Sequence, residues 1–265
     1  MRTCQSLPIR LPHEFATSIN GSFTCIKGAS NPFLCNNSMT DVRFGHTATF
    51  LTTGSERGEV LIAGGSNSSG GTLATAELFD PSNNTFSCVG RVSANPPKCE
   101  PSLNGVRASH YAFLLTTGPN AGDVLIAGGS DQNGVPLRTA ELFNPDTRVF
   151  SCLGGVSGSV CENRMVAGRL GSSATMLTNG EILFAGGLSG QSSSGYSSIG
   201  SAEIYDPVSN RFTATSGDMT VSRAGHSAVL LNNGDVLIIG GATGSVGGGN
   251  TTRSLLMSLD SDIEG

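Results

Sequence analysis

At 265 residues the chain is long enough to bury a sizeable core, as one large domain or two small ones. Its formal charge of −5 offers nothing to draw in nucleic acid or an anionic membrane, and no apolar run approaches the ~20 residues a membrane helix needs. Abundant glycine (37), few charged residues (13%) and no tryptophan exclude a disordered chain and a coiled coil.

Met1 to Pro8 lacks the apolar stretch of a signal peptide, so none is expected within this chain. His13 to Cys25 aligns without a gap to Ala76 to Cys88, so the chain starts with half of a unit that is complete further on. The first complete unit opens at Arg43-Phe-Gly-His46. An alternating strand a follows (His46 to Leu51), then a turn carrying glycine (Thr53 to Gly58). Strand b is Val60-Leu-Ile-Ala followed by Gly64-Gly65, apolar on both faces and therefore expected between packed sheets. The paired glycines mark a place where a side chain would collide with a neighbouring unit. A polar loop (Ser66 to Thr72) leads to strand c, Ala76-Glu-Leu-Phe, an Asp80-Pro81 turn, and strand d with Phe86.

The same order returns from Arg107-Ala-Ser-His110, Arg169-Leu-Gly-Ser172 and Arg223-Ala-Gly-His226, at intervals of 64, 62 and 54 residues. Asn179-Gly180 and Asn232-Asn-Gly234 are tight-hairpin signals. The b-to-c loops (Ser130 to Val135, Leu188 to Ser198, Ala242 to Asn250) are rich in Gly and Ser. The fourth copy supplies only strands a and b, so the two ends together make one more unit. Self-similarity at this period, with four strands per unit, predicts propeller blades.

The pattern of Arg-x-Gly-His, an apolar run ending in Gly-Gly, and Glu-Leu-Phe-Asp-Pro resembles the kelch repeat over nearly the whole chain. Kelch blades usually carry Trp in strand d, where this chain has Phe. The resemblance implies an all-β kelch-type propeller, with blades at about 43–98, 107–160 and 169–220 and a composite blade from 223–265 plus 8–34. Half of an eight-bladed ring, and a fragment of a larger propeller, are the alternatives.

Six of the seven cysteines fall in repeat-locked pairs, Cys25/Cys35, Cys88/Cys99 and Cys152/Cys161. Each second member lies eight residues before a repeat Arg. Without a Cys-x-x-Cys or a Cys/His ligand spacing, they read as loop-closing disulfides rather than metal ligands. That places the chain outside the cytoplasm, as a secreted, periplasmic or cell-surface protein. Cys4 has no counterpart.

Recurring Arg43, Arg107, Arg169 and Arg223 could form an anion-binding ring. Recurrence in every unit favours a structural duty, each Arg fixing the loop that precedes its own blade and pairing with Glu77, Glu141 or Glu203. His46, His110 and His226 are read the same way; Ser172 in the third unit argues against a symmetric His metal site. Galactose oxidase resembles this fold, but its copper site of two Tyr, two His, a Tyr–Cys crosslink and a stacking Trp does not map onto Tyr111, Tyr196 and Tyr205. Tyr205 falls on the position of Phe79 and Phe143, which is core. No nucleophile elbow, P-loop or zinc-protease motif occurs. No metal or cofactor is expected.

Alternating strand directions place the cysteine loops and the b-to-c loops on one face. Variable loops on a rigid scaffold are where binding residues sit. The candidates are Asn67, Asp131, Gln132, Asn133, Gln191 and Tyr196, on a non-catalytic scaffold that meets a protein or glycan partner. A galactose-oxidase-like enzyme without its catalytic part, and a structural unit forming homo-oligomers, are the other readings.

Overall fold

The computed structural model describes residues 38–246, apart from 95–96, 158–159, 162 and 192, together with the backbone of four short strands nearer the N-terminus. Among the described residues the chain is all-β, with no helix and therefore none long and apolar enough to cross a membrane.

Three four-stranded antiparallel sheets follow one another along the chain, each in the order a-b-c-d. The first contains Thr47–Phe50, Val60–Ala63, Ala76–Asp80 and Thr85–Cys88. The second contains Tyr111–Leu114, Val124–Ala127, Ala140–Asn144 and Val149–Cys152. The third contains Ser173–Met176, Ile182–Ala185, Ala202–Asp206 and Arg211–Ala214. Their registers superimpose: Val60 opposes Phe79, Val124 opposes Phe143 and Ile182 opposes Tyr205. The phenylalanine of strand d closes each ladder against the aromatic of strand c, with ring centroids 4.9, 4.9 and 5.0 Å apart.

Side chains alternate across a strand, so each sheet has two apolar faces, and successive sheets cover them in turn. Leu51, Leu61, Ala63 and Leu78 of the first sheet pack on Val124, Ile126, Phe143 and Phe150 of the second. Leu115, Leu125, Ala127 and Leu142 of the second pack on Ile182, Phe184 and Tyr205 of the third. Strand b is buried on both faces for this reason, Val124 to Ala127 being fully inaccessible. The glycine pairs sit at these junctions. A Cβ on Gly64 would lie 2.5 Å from the Arg107 carbonyl oxygen of the next unit, and one on Gly129 would lie 2.5 Å from the Ala108 carbonyl oxygen of its own.

The Asp/Asn-Pro turns between strands c and d are held by the first side chain. Asp80 Oδ1 accepts from the Ser82 amide at 2.8 Å and Asp206 Oδ1 from the Val208 amide at 2.8 Å. The left-handed residue that such a turn requires falls on Asn84, Arg148 and Asn210.

Two half-sheets complete the picture. Ser227–Leu230 pairs with Val236–Ile239, and Glu14–Ala16 pairs with Phe23–Cys25; each pair stands as a separate two-stranded sheet. The cysteine loops, read above as loops, are hairpins. Val92–Ala94 pairs with Pro97–Cys99, Val156–Ser157 with Val160–Cys161, and Ala29–Asn31 with Leu34–Cys35. The Gly/Ser-rich stretch from Leu188 to Ser198 is likewise a hairpin, Leu188–Gln191 with Gly195–Ser198.

Candidate binding face

Each complete unit is fixed at one corner by the same charge clamp. Arg43 donates to the Gly64 carbonyl at 2.8 Å, to the Thr75 carbonyl at 3.0 Å and to Glu77 at 2.9 Å. Glu77 also accepts from the Thr40 amide at 2.7 Å. Arg107 repeats this with the Gly128 and Thr139 carbonyls and Glu141, which accepts from the Asn104 amide. Arg169 does the same with the Gly186 and Ser201 carbonyls and Glu203, which accepts from the Val166 amide. The three ion pairs are fully buried. Each Arg therefore ties the end of strand b, the start of strand c and the incoming loop together. The three guanidinium groups are buried and ion-paired inside the protein, which argues against the anion-ring reading for these three.

Two of the histidines reach across to the preceding unit. His110 Nε2 meets Thr47 Oγ1 of the preceding unit at 2.8 Å, and His226 Nε2 meets Ser173 Oγ of the preceding unit at 2.9 Å. They join units rather than fixing their own. At the junction between them the roles are exchanged: Ser172 replaces His, and Tyr111 reaches across from the preceding unit to bond the Ser172 backbone carbonyl. Burial pushes the Tyr111 hydroxyl up from its ordinary range. Burial, followed by the charge of Arg107, pulls His110 down to about 3, so it is a neutral imidazole. Nothing in one unit signals this; the residue after the repeat His varies across units, as Thr47, Tyr111, Ser173 and Ser227.

The disulfides Cys88–Cys99 and Cys152–Cys161 are formed as expected. The side chains of Cys25 and Cys35, and Cys4, lie outside the described residues. Asp41, Glu77 and Cys99 come close enough to suggest a cation site. Their chemistry does not fit one: Cys99 is bonded to Cys88, and Glu77 is committed to Arg43 and the Thr40 amide.

With strands in the order a-b-c-d and antiparallel throughout, the b-to-c loops and the cysteine hairpins emerge at one end of the sheets. There the loops join. Tyr196 donates from its hydroxyl to the Gly134 carbonyl of the second unit at 2.7 Å. Its own strand pairs on the other side with Ser245–Val246 of the fourth. Ser197 and Ser245 exchange a hydrogen bond at 3.0 Å, and Ser198 and Ser222 at 2.9 Å. Three successive loops thus form one rim with the half-buried Tyr196 at its centre.

The six candidates divide by what they do there. Asn67 Oδ1 accepts from the Ser69 and Gly71 amides, and Asp131 Oδ1 from the Asn133 and Val135 amides. These two hold the shape of their own loops. Tyr196 is the joint of the rim. The side chains of Gln132, Asn133 and Gln191 are directed to solvent on it. The three tyrosines do not converge: the Tyr205 hydroxyl bonds Asn210 in a c-to-d turn, at the end of the sheet opposite Tyr196. Burial raises Tyr205 well above the ordinary tyrosine range.

No family model matches the chain, and no curated protein matches it.

Proposed function

We propose that the chain is a kelch-type β-propeller of four four-stranded blades, one of them composite, that works as a non-catalytic binding scaffold outside the cytoplasm. Its loop rim meets a protein or glycan partner. The observation that carries this reading is the rim itself. The loops from 130, 188 and 242 are bonded in series, and two of the hairpins at the same end are closed by disulfides. A surface ordered before it meets a ligand loses less conformational freedom on binding. The polar, uncommitted side chains Gln132, Asn133 and Gln191 on that rim supply hydrogen bonds suited to hydroxyls or peptide groups. The disulfides also support an extracytoplasmic setting.

The test is retention on an immobilised panel of glycans and secreted proteins. The triple substitution Gln132→Ala, Asn133→Ala and Gln191→Ala is expected to weaken any captured ligand at least tenfold without changing the melting temperature. A ligand that binds the triple variant as tightly as the unaltered chain, yet is lost on substituting the c-to-d turns at Ser82 and Val208, would place recognition on the opposite face and overturn the proposal.

A further inference from the structure

The fourth unit holds only part of the clamp. Arg223 donates to the Gly240 carbonyl at 2.8 Å, as Arg43 does to Gly64 and Arg107 to Gly128. Among the described residues, no carboxylate lies within ion-pair distance of it. Among the described residues the strand that would bring one is also missing from the sheet, Val236–Ile239 pairing with Ser227–Leu230 alone. The apolar side chains of this hairpin are bare in consequence. Leu237 is 45% exposed, where the equivalent Leu61 and Leu125 are 1% and 0%. Leu231 is 38% exposed, where Leu51 and Leu115 are 0% and 2%.

The opposite deficiency occurs near the N-terminus. Glu14–Ala16 pairs with Phe23–Cys25, setting Glu14 opposite Cys25. Glu77 opposes Cys88 and Glu141 opposes Cys152 in the same register. Among the described residues this hairpin is therefore a c–d pair with no a or b paired to it.

We propose that Arg223 and the open edge Val236–Ile239 are the acceptor for strand Glu14–Ala16 of the same chain, with Glu14 supplying the carboxylate that Arg223 lacks. This rests on the composite-blade reading above and adds the group that selects the strand and sets its register. By the rule of the complete units, where Ile62 opposes Glu77, Ile126 opposes Glu141 and Phe184 opposes Glu203, Glu14 settles opposite Ile238. A slip by one residue presents His13 or Phe15 to the guanidinium and turns every side chain to the wrong face. A strand without an acid there buries an uncompensated charge, which is strongly unfavourable.

Zero-length carbodiimide coupling of the Arg223→Lys variant tests this, with Arg43→Lys as the reference for a clamp of known partner. Peptide mass spectrometry is expected to find positions 223 and 14 linked in the monomer band, at a yield near that of positions 43 and 77. A 43–77 link without a 223–14 link overturns the proposal. A 223–14 link confined to a dimer band also overturns it, because the strand then comes from a second copy. Against failure of a single variant to fold, the exchange Arg223→Glu with Glu14→Arg is compared with each substitution alone. The exchange is expected to restore at least half of the melting temperature lost in either, and no recovery refutes the pairing. Amide exchange separates this from the wider reading. Protection of Val236–Ile239 unchanged in Glu14→Gln leaves the composite blade standing and removes the role of the ion pair, whereas the same strand unprotected in the unaltered chain removes both.

Discussion

Acidification should loosen the junction between the first and second units through one side chain. His110 is buried there, bonded to Thr47 Oγ1 at 2.8 Å, with Arg107 and His46 as the nearest positive or titratable neighbours acting on it. Its pKa lies at about 3 in the folded chain, against 6.5 when unfolded. Below pH 6.5 the unfolded state binds a proton that the folded state refuses, so stability falls as pH falls. The full contribution is present above pH 6.5, and loss continues down to the folded pKa. Each pH unit in that window removes about 1.4 kcal/mol, so a drop from pH 6.5 to 4.5 costs about 3 kcal/mol through this group. The assay is denaturant unfolding at several pH values, comparing the unaltered chain with His110→Gln, which keeps a polar end near Thr47 but does not titrate. Taking the difference between the two cancels the carboxylates and His226, which are common to both. A pH slope identical in the two proteins below 6.5 would refute the assignment of His110 as a neutral buried joint.

The fully buried clamp and a pair with one half-exposed member should respond very differently to loss of a partner. Glu141→Leu strands Arg107 in the interior and should cost about 3–5 kcal/mol by denaturant titration. Glu56→Gln, which frees the half-exposed Arg148, should cost no more than about 1 kcal/mol. Two glycines separate backbone conformation from close approach: Gly58 (φ +96°) has open space where a Cβ would go, and Gly129 (φ +82°) has a carbonyl oxygen at 2.5 Å. Gly58→Ala should cost only the left-handed penalty of about 1–2 kcal/mol, and Gly129→Ala distinctly more; equal losses in melting temperature would disprove the crowding. Replacing Cys88 and Cys99 by Ser opens a short loop and should lower stability by about 3 kcal/mol on the chain-entropy estimate.

What the sequence made legible was whatever each unit repeats within itself. The Arg and Glu of one unit lie far apart along the chain but recur at fixed offsets, so their pairing could be read before any coordinates. The Gly-Gly collision, the Phe of strand d and the local disulfides were legible on the same ground. Contacts between units were not. His110 with Thr47, and Tyr111 with Ser172, involve partners in different copies. The repeat pattern aligns such residues with their equivalents and says nothing of who faces whom. The loop candidates were read by their place in the variable loops and by polarity, which cannot separate an Asn that binds its own loop amides, as Asn67 does, from one such as Asn133 that is left to solvent. Leu188 to Ser198 read as a loop because Gly and Ser are poor strand formers. Pairing with Ser245–Val246 from the next unit overrides that preference.

Repetition also decides where function can reside. In a solenoid-like array each unit is stabilised by itself and by its neighbours, so a residue found in every unit is accounted for by those two demands. The glycine pairs, aromatic ladders, junction bonds and the clamps of the three complete units all meet this description, and each of those three clamps has its partner within the protein. What remains is where units differ. The third has a hairpin in place of a loop, which carries Tyr196 to the second unit and pairs with the fourth. The second has Gln132 and Asn133 beside that contact, held out by the turn that Asp131 closes. These differences gather at one end of the sheets, whereas the c-to-d turns at the other end keep one stereotyped geometry in all three complete units. An end built three times to the same plan reports the demands of the fold. The varied end is free of that constraint, and selection for a partner can act there without disturbing the core.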